Sequence, residues 1–291
     1  MNRGFTFRER VAVDAAGASL LDHLAARYPH SDRETWRRRI AEGSVSVDGD
    51  PDEPLRAGQL VVWHRPGWEE PEAPTGFDVL FEDDSLLAVG KPSGLPTLPG
   101  GGFLENTLLY AVRARTPGAS PLHRLGRFTS GIVLFAKDAA THRALSAQWR
   151  RREVVKRYRA LASGRSVEDR FVVDVPIGPV PHPLHGTVFA ASPAGKPALT
   201  RVQVVRRDDD AFLADVFIET GRPHQIRIHL AAAGHPLVGD PLYGPGGGPI
   251  PGSTARVGDG GYRLHAAELR FRHPANGVEV VVRSEPPRDL R

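Results

Sequence analysis

The chain of 291 residues has no cysteine, one methionine and only four lysines, Lys91, Lys137, Lys156 and Lys196. Without cysteine it can form no disulfide framework, thiolate metal site or thiol nucleophile. No stretch approaches the roughly 18 consecutive apolar residues of a membrane-spanning helix. Met1 to Arg10 contains no apolar run of the secretory kind. The expectation is therefore a cytoplasmic protein with no membrane partner.

What is abundant is arginine. Four of the 38 basic residues are lysine, so 34 are arginine, although the formal net charge is only +4. Arginine makes bidentate contacts to phosphate and stacks on bases. A general compositional preference for arginine would give the same total, so the clusters carry the argument. The length suffices for a full core and for two domains.

The first cluster lies within residues 10–66. Leu20, Leu21, Leu24 and Ala25 recur at helical spacing, and Pro29 closes that helix. Ser31 with Glu34 three residues later reads as a capping box. The helix it opens carries Arg33, Arg37, Arg38 and Arg39. Val45 and Val47 then alternate with serines, Asp48-Gly49 reads as a hairpin turn, and Leu60 to Val62 as another strand. An arginine-rich helix can be simply a solvated face or a phosphate-binding one. Residues 67–77 are acidic and punctuated by proline, as a linker is.

A second domain over 78–291 is dominated by strands: Leu86–Val89, Ile132–Ala136, Val154–Ala162, and a pair at Val202–Val205 and Phe212–Ile218 joined by the turn Asp208-Asp209-Asp210. Thr141–Arg152 reads as a basic amphipathic helix, and His224–Ala233 as another helix. Strand and helix do not alternate regularly. That predicts an α+β fold on a mixed, largely antiparallel sheet, preceded by a small N-terminal α/β domain. Residues 244–261 are dense in glycine and read as a mobile surface loop. Pro245, Pro249 and Pro251, with no following helix, argue against a phosphate cradle there. His224 and His229 are five apart and do not share a helical face, so a metal pair is not expected.

Several segments, in order, carry a resemblance. They are Val89 to Leu95 (VGKPSGL), His123 to Gly131 (HRLGRFTSG), and Lys156 to Ala160 (KRYRA) with Gly164. Glu219 to Leu230 (ETGRPHQIRIHL) follows and runs on through Gly234-His235-Pro236 to Gly239–Gly244 (GDPLYG). Leu264-His265-Ala266 and Phe271–Pro274 close the set. Together they resemble the RluA-type family of RNA pseudouridine synthases. Residues 10–66 resemble the small RNA-binding domain of ribosomal protein S-four, whose basic helix and following hairpin lie along RNA.

The resemblance implies isomerisation of uridine in ribosomal or transfer RNA with no cofactor and no metal, and a monomer is the default expectation. It implies a ring-contacting role for Tyr158, the cation beside the catalytic carboxylate at Arg227, and an RNA contact at Arg124 that holds the base extruded. It also implies packing of Ile226 against the base and substrate contacts from His123 and Thr129. Arg33, Arg37, Arg38 and Arg39 would bind RNA. From the residues alone, Tyr158 reads as a core aromatic of its strand and Arg227 as a surface residue.

Two positions depart from the family pattern. Pro223 stands where threonine is usual and fits the first turn of a helix. Gly126 stands where the family carries its catalytic aspartate. With no side chain there, Arg227 is expected to be unpaired and the pocket strongly positive. Glu105, Asp138 and Asp240 are the candidate substitute carboxylates. The competing reading is an RNA-binding pseudoenzyme; a translation or RNA-quality-control factor that uses the N-terminal domain alone is a third.

Overall fold

A computed structural model of the chain describes residues 1–165 and 168–291. They form two compact units, Met1–Glu70 and Pro71–Arg291.

In the first unit, β1 (Phe5–Arg10) is followed by α1 (Leu20–Arg27), α2 (Arg33–Ala41), β2 (Val45–Val47) and β3 (Leu60–Arg65). The sheet order is β1-β3-β2, all antiparallel. It begins ahead of residue 10, with Phe5 opposite Arg65. Leu20, Leu24, Trp36, Val45, Val61 and Trp63 form its core. Ser19 caps α1 by accepting from the Asp22 amide. The cap of α2 is Asp32, which accepts from the Thr35 amide at 2.7 Å, and not Ser31. Ser31 instead accepts from Arg39 Nη1 at 2.9 Å. Both residue types cap well, and the carboxylate one position later takes the role. Asp48-Gly49 does not close a tight hairpin. Val47 pairs with Val61, so it opens a loop over residues 48–59. Gly67 to Glu70, read as linker, is fastened to the chain start by Asn2 bonds to Trp68 and Glu70.

The second unit runs β4 (Asp78–Glu82), β5 (Leu86–Lys91), α3 (Leu108–Arg115), β6 (Ser120–Pro121), β7 (Ser130–Ala136), α4 (Ala139–Arg150), β8 (Val155–Ser163) and β9 (Arg170–Val173). It continues with β10 (Ile177–His182), β11 (Gly186–Ala191), β12 (Thr200–Arg207), β13 (Ala211–Ile218), α5 (Gln225–Ala232), β14 (Leu264–Arg272) and β15 (Glu279–Arg283). Among the described residues ten strands join in one sheet, ordered β4-β5-β7-β14-β8-β13-β12-β9, with β15 on β14 and β6 on β7. Strands β10 and β11 form a separate hairpin. Among the described residues only β7 and β14 pair in parallel, at Ser130–His265 and Gly131–Ala266, and the other pairings are antiparallel. The architecture is α+β on a mixed, largely antiparallel sheet.

Leu86–Val89 of β5 and Ile132–Ala136 of β7 are apolar throughout because both faces of the sheet are covered there. Leu87, Val89, Val133, Phe135, Tyr158, Ala160 and Ala214 cluster with Ile226 and Leu230 of α5. The alternate residues Leu86, Ala88, Ile132 and Leu134 cluster with Leu145 of α4. Period-two alternation thus directs Tyr158 to the face that α5 shares.

The parallel seam is tight. Gly131 has φ +104°, and a Cβ there would lie 2.2 Å from the Ala266 carbonyl oxygen, so only glycine fits. That seam brings residues 124–130 beside residues 262–264. Within residues 244–261, read as a mobile surface loop, Gly247, Ile250 and Ser253 are hydrogen-bonded to neighbouring segments. Ala191 donates to the Gly247 carbonyl, Ile250 to Leu242, and Ser253 Oγ to Pro241. Pro223 precedes the cap of α5 and lies outside its first turn. The cap is His224, held in the left-handed region at φ 55°.

Candidate active site

The turn at the head of β7 is built by its neighbours. Gly126 accepts from the Thr129 amide at 3.0 Å. The segment Lys91–Gly94 clamps this turn from the other side. Lys91 Nζ donates to the carbonyls of Pro92, Leu95 and Arg127 at 2.9, 2.7 and 2.9 Å. Gly94 donates its amide to the Arg127 carbonyl and accepts from Arg127 Nε. Ser93 Oγ donates to the Phe128 carbonyl. Burial pulls the Lys91 amine down to about 7, while three carbonyl acceptors match the three protons of an ammonium.

The start of α5 is set by Gln225, which the sequence reading did not single out. Its Oε1 accepts from Thr220 Oγ1 and the Arg222 amide, and its Nε2 donates to Leu199 and Thr200. The amide of a buried glutamine must be satisfied on both ends, and here it fixes helix to strand.

Between these elements lies an open cleft of about 500 Å³. The seven residues that the resemblance places at the catalytic and substrate site all line it: His123, Arg124, Gly126 and Thr129 from the turn, Tyr158 from β8, and Ile226 and Arg227 from α5. Arg124 is exposed and Gly126 is open to the cleft, whereas Tyr158, Thr129, Ile226 and Arg227 are buried. Burial pushes the Tyr158 phenol up to about 12, so it is neutral near pH 7. The His123 ring accepts from the Leu134 amide at 3.1 Å and stacks on Trp149. Burial, with the nearby Lys156, lowers it to about 4.

Arg227 is not unpaired. Its Nε and Nη2 each lie 2.7 Å from a different oxygen of Asp240. Burial pulls this guanidinium down, but the Asp240 hydrogen bonds and charge outweigh it and hold it above its ordinary value. Its Cζ lies 4.8 Å from the Tyr243 ring centroid and 4.2 Å from that of Tyr262. Tyr243 donates its hydroxyl to the Phe189 carbonyl, so its oxygen accepts from His224 Nδ1. Burial, then Arg227 and Arg124, depress that imidazole to about 4 against the pull of Asp240, leaving it neutral.

The substitute carboxylates fare differently. Asp240 is turned onto Arg227, and its Oδ1 also accepts from the Leu242 and Tyr243 amides. Asp138 caps α4, accepting from the Ala140 and Thr141 amides. Neither it nor Glu105 lines the cleft. Among the described residues the lining carboxylate is Glu219, missed by sequence reasoning, and Arg201 holds its Oε1 at 3.0 and 2.9 Å. With Arg227 neutralised by Asp240, Arg124, Arg150, Arg152, Lys156 and Arg222 still face the cleft. The surface suits a polyanion. No group of three or more metal-ligating side chains occurs among the described residues. No helix there is long and apolar enough to cross a membrane.

The basic residues of α2 separate into two sets. Arg33, Arg37 and Arg38 are exposed and paired with Asp22, Glu34 and Glu42. Arg39 is part-buried, with Cζ 4.7 Å from the Trp36 ring centroid and 4.8 Å from that of Trp63.

A mixed sheet with a buried arginine–aspartate pair and a tyrosine at one basic cleft defines an α+β domain built to hold an anionic substrate. A family profile described as RNA pseudouridylate synthase matches residues 85–232. An uncharacterised RNA pseudouridine synthase of Synechocystis is 46% identical, over 87% of this chain and 89% of its own length. RNA pseudouridine synthase 5 of Arabidopsis thaliana is 42% identical, over 84% and 82%. Ribosomal large subunit pseudouridine synthase D of Neisseria meningitidis is 34% identical, over 96% and 79%. The solved structure of human RNA pseudouridylate synthase domain containing 1 superposes with TM-score 0.58 at 27% identity, covering 75% of this chain and 87% of that one. The chain belongs to the RNA pseudouridine synthases, of the RluA type.

Proposed function

We propose that this protein isomerises uridine to pseudouridine in structured ribosomal or transfer RNA. The observation that carries the reading is convergence. Arg124 and Gly126 of one turn, Tyr158 of β8, and Ile226 and Arg227 of α5 are far apart in sequence and line one cleft ringed by cations. The reaction exchanges one C–N bond for one C–C bond and relocates one proton, with no net oxidation. It requires a base taken out of its stack into a pocket.

In this reading Ile226 packs against the extruded uracil and the neutral Tyr158 phenol touches the ring. Arg124, exposed at the rim, holds the displaced strand. Thr129 and His123 shape the wall, the latter through its stack on Trp149. The first unit grips RNA backbone through Arg33, Arg37 and Arg38. The exposed rings of Phe5 and Phe7 offer stacking surfaces.

The test is to incubate the purified protein with uridine-labelled ribosomal and transfer RNA and map pseudouridine. A product at discrete positions is the expected result. A second reading, a pseudoenzyme that binds RNA without turnover, is favoured by Gly126, which leaves the 123–131 turn without a carboxylate. Tight, salt-sensitive RNA binding with no pseudouridine above background would establish it.

A further inference from the structure

The space that Gly126 leaves empty is occupied. A Cβ placed on Gly126 would lie 3.0 Å from the Tyr262 hydroxyl and 3.5 Å from Thr129 Oγ1. Tyr262 reaches that point because it lies two residues ahead of β14, at the parallel seam with β7. Its hydroxyl lies 3.4 Å from Thr129 Oγ1, the residue is 6% exposed, and the Arg227 guanidinium rests against its ring. It also lines the cleft. Of the atoms near that Cβ the phenol oxygen is the nearest, so it stands beside the point from which a side chain of the turn would extend. A glycine on β7's turn and a tyrosine before β14 are thus two halves of one arrangement. We propose that Tyr262 is the nucleophile of this enzyme, supplying from β14 the oxygen that the Gly126 turn does not.

The proposal rests on the uridine-isomerising reading above, and its chemistry closes without a co-reactant. The Tyr262 oxygen attacks C1′ of the extruded uridine, forming an O–C1′ bond and breaking C1′–N1, and the phenolic proton ends on N1 of the departing uracil. The uracil turns to present C5. The C5=C6 electrons attack C1′, forming C5–C1′ and breaking O–C1′. The C5 proton is then lost and returns to the Tyr262 oxygen. The product carries hydrogen on N1 and carbon on C1′, and the phenol is regenerated. Phenols serve as glycosyl nucleophiles in sialidases, so the step lies within tyrosine chemistry. The Arg227 guanidinium, with Cζ 4.2 Å from the ring centroid, places a cation beside the phenol that regains negative charge as it is expelled.

Four proteins test this on full-length chain with ribosomal and transfer RNA tritiated at uridine C5, where release of tritium reads turnover. They are the wild type, Y262F, G126D and G126D/Y262F. Wild type releases tritium. Y262F loses at least a hundredfold in kcat with its RNA Kd and melting temperature unchanged. G126D does not exceed the wild type, because its side chain meets the Tyr262 hydroxyl. G126D/Y262F, where the phenol oxygen has made room for a carboxylate, regains at least tenfold over Y262F. Turnover of Y262F within threefold of wild type overturns the role of Tyr262 and leaves uridine isomerisation standing. A wild type that is inert beside an active G126D/Y262F overturns both, and makes Tyr262 the plug of an RNA-binding protein.

Discussion

Arg227 and Asp240 form a two-pronged ion pair sealed from water, with side chains 3% and 1% exposed and both contacts at 2.7 Å. Removing one partner strands the other as an uncompensated buried charge, which costs about 3–5 kcal/mol. R227M is expected to lose that much in urea unfolding at unchanged m-value. The double variant R227M/D240L should recover part of it, since two apolar groups leave no charge behind. A loss below about 1 kcal/mol in R227M would mean that Asp240 is held by the Leu242 and Tyr243 amides alone.

Arg152 sits in the left-handed region at φ 60°, just past the end of α4, in a cleft-lining position. The Glu153 amide donates to Gln148 and the Arg152 amide to Trp149, the closing pattern in which glycine is usual. Left-handed backbone costs a residue with a Cβ about 1–2 kcal/mol, while glycine's extra freedom offsets about half of that gain. R152G should therefore stabilise the protein by about 0.5–1 kcal/mol in thermal or urea melts. It should also weaken RNA binding and reduce the salt slope by about one. Unchanged RNA affinity would leave the strain without a functional reason.

Much of this site was legible in the sequence because its pieces are local. The turn 123–131, the alternation that turns Tyr158 inward and the helix of Arg227 are each contained within a few residues. What was not legible depends on where β14 goes. Its parallel insertion beside β7 joins Gly126 to Tyr262, more than a hundred residues apart, and no short-range pattern reports it. The Arg227–Asp240 pair likewise needs the return of the chain after α5. Asp138 shows the reverse case, for a carboxylate before a basic amphipathic helix is a cap first. The boundary at residue 10 missed β1 because Phe5–Arg10, as a strand with polar alternation, gains its place only by pairing with β3.

His123 and His224 are both held near 4 by burial and by neighbouring cations. A depressed imidazole means that the unfolded chain takes up protons that the native state refuses. The associated stability is complete above about pH 6.5, falls as pH drops, and is exhausted below about 4. At pH 5 each imidazole should cost about 2 kcal/mol relative to pH 7.5. Urea midpoints across this range check it. H224N removes one titration and tolerates the left-handed backbone, so it should reduce the fall by that one imidazole's share, about 2 kcal/mol at pH 5. An unaltered fall in H224N would show that His224 takes up its proton freely in the native protein.

Arg39 rests over Trp36 and Trp63 and donates to Ser31, while Arg37 and Arg38 face solvent. The triplet should therefore divide in function. Surface pairs such as Arg37–Glu34 and Arg38–Glu42 contribute little, roughly 0–1 kcal/mol, and yield readily to phosphate. R37Q/R38Q is expected to melt within about 0.5 kcal/mol of wild type. Its RNA binding should lose about two from the slope of log affinity against log salt. R39Q should do the opposite. It loses two ring contacts worth about 0.5–1 kcal/mol each and lowers stability by about 1–2 kcal/mol with an unchanged salt slope. Binding isotherms from 50 to 200 mM salt, beside melts of the same variants, separate the two outcomes; a salt slope reduced in R39Q but not in R37Q/R38Q would reverse the assignment.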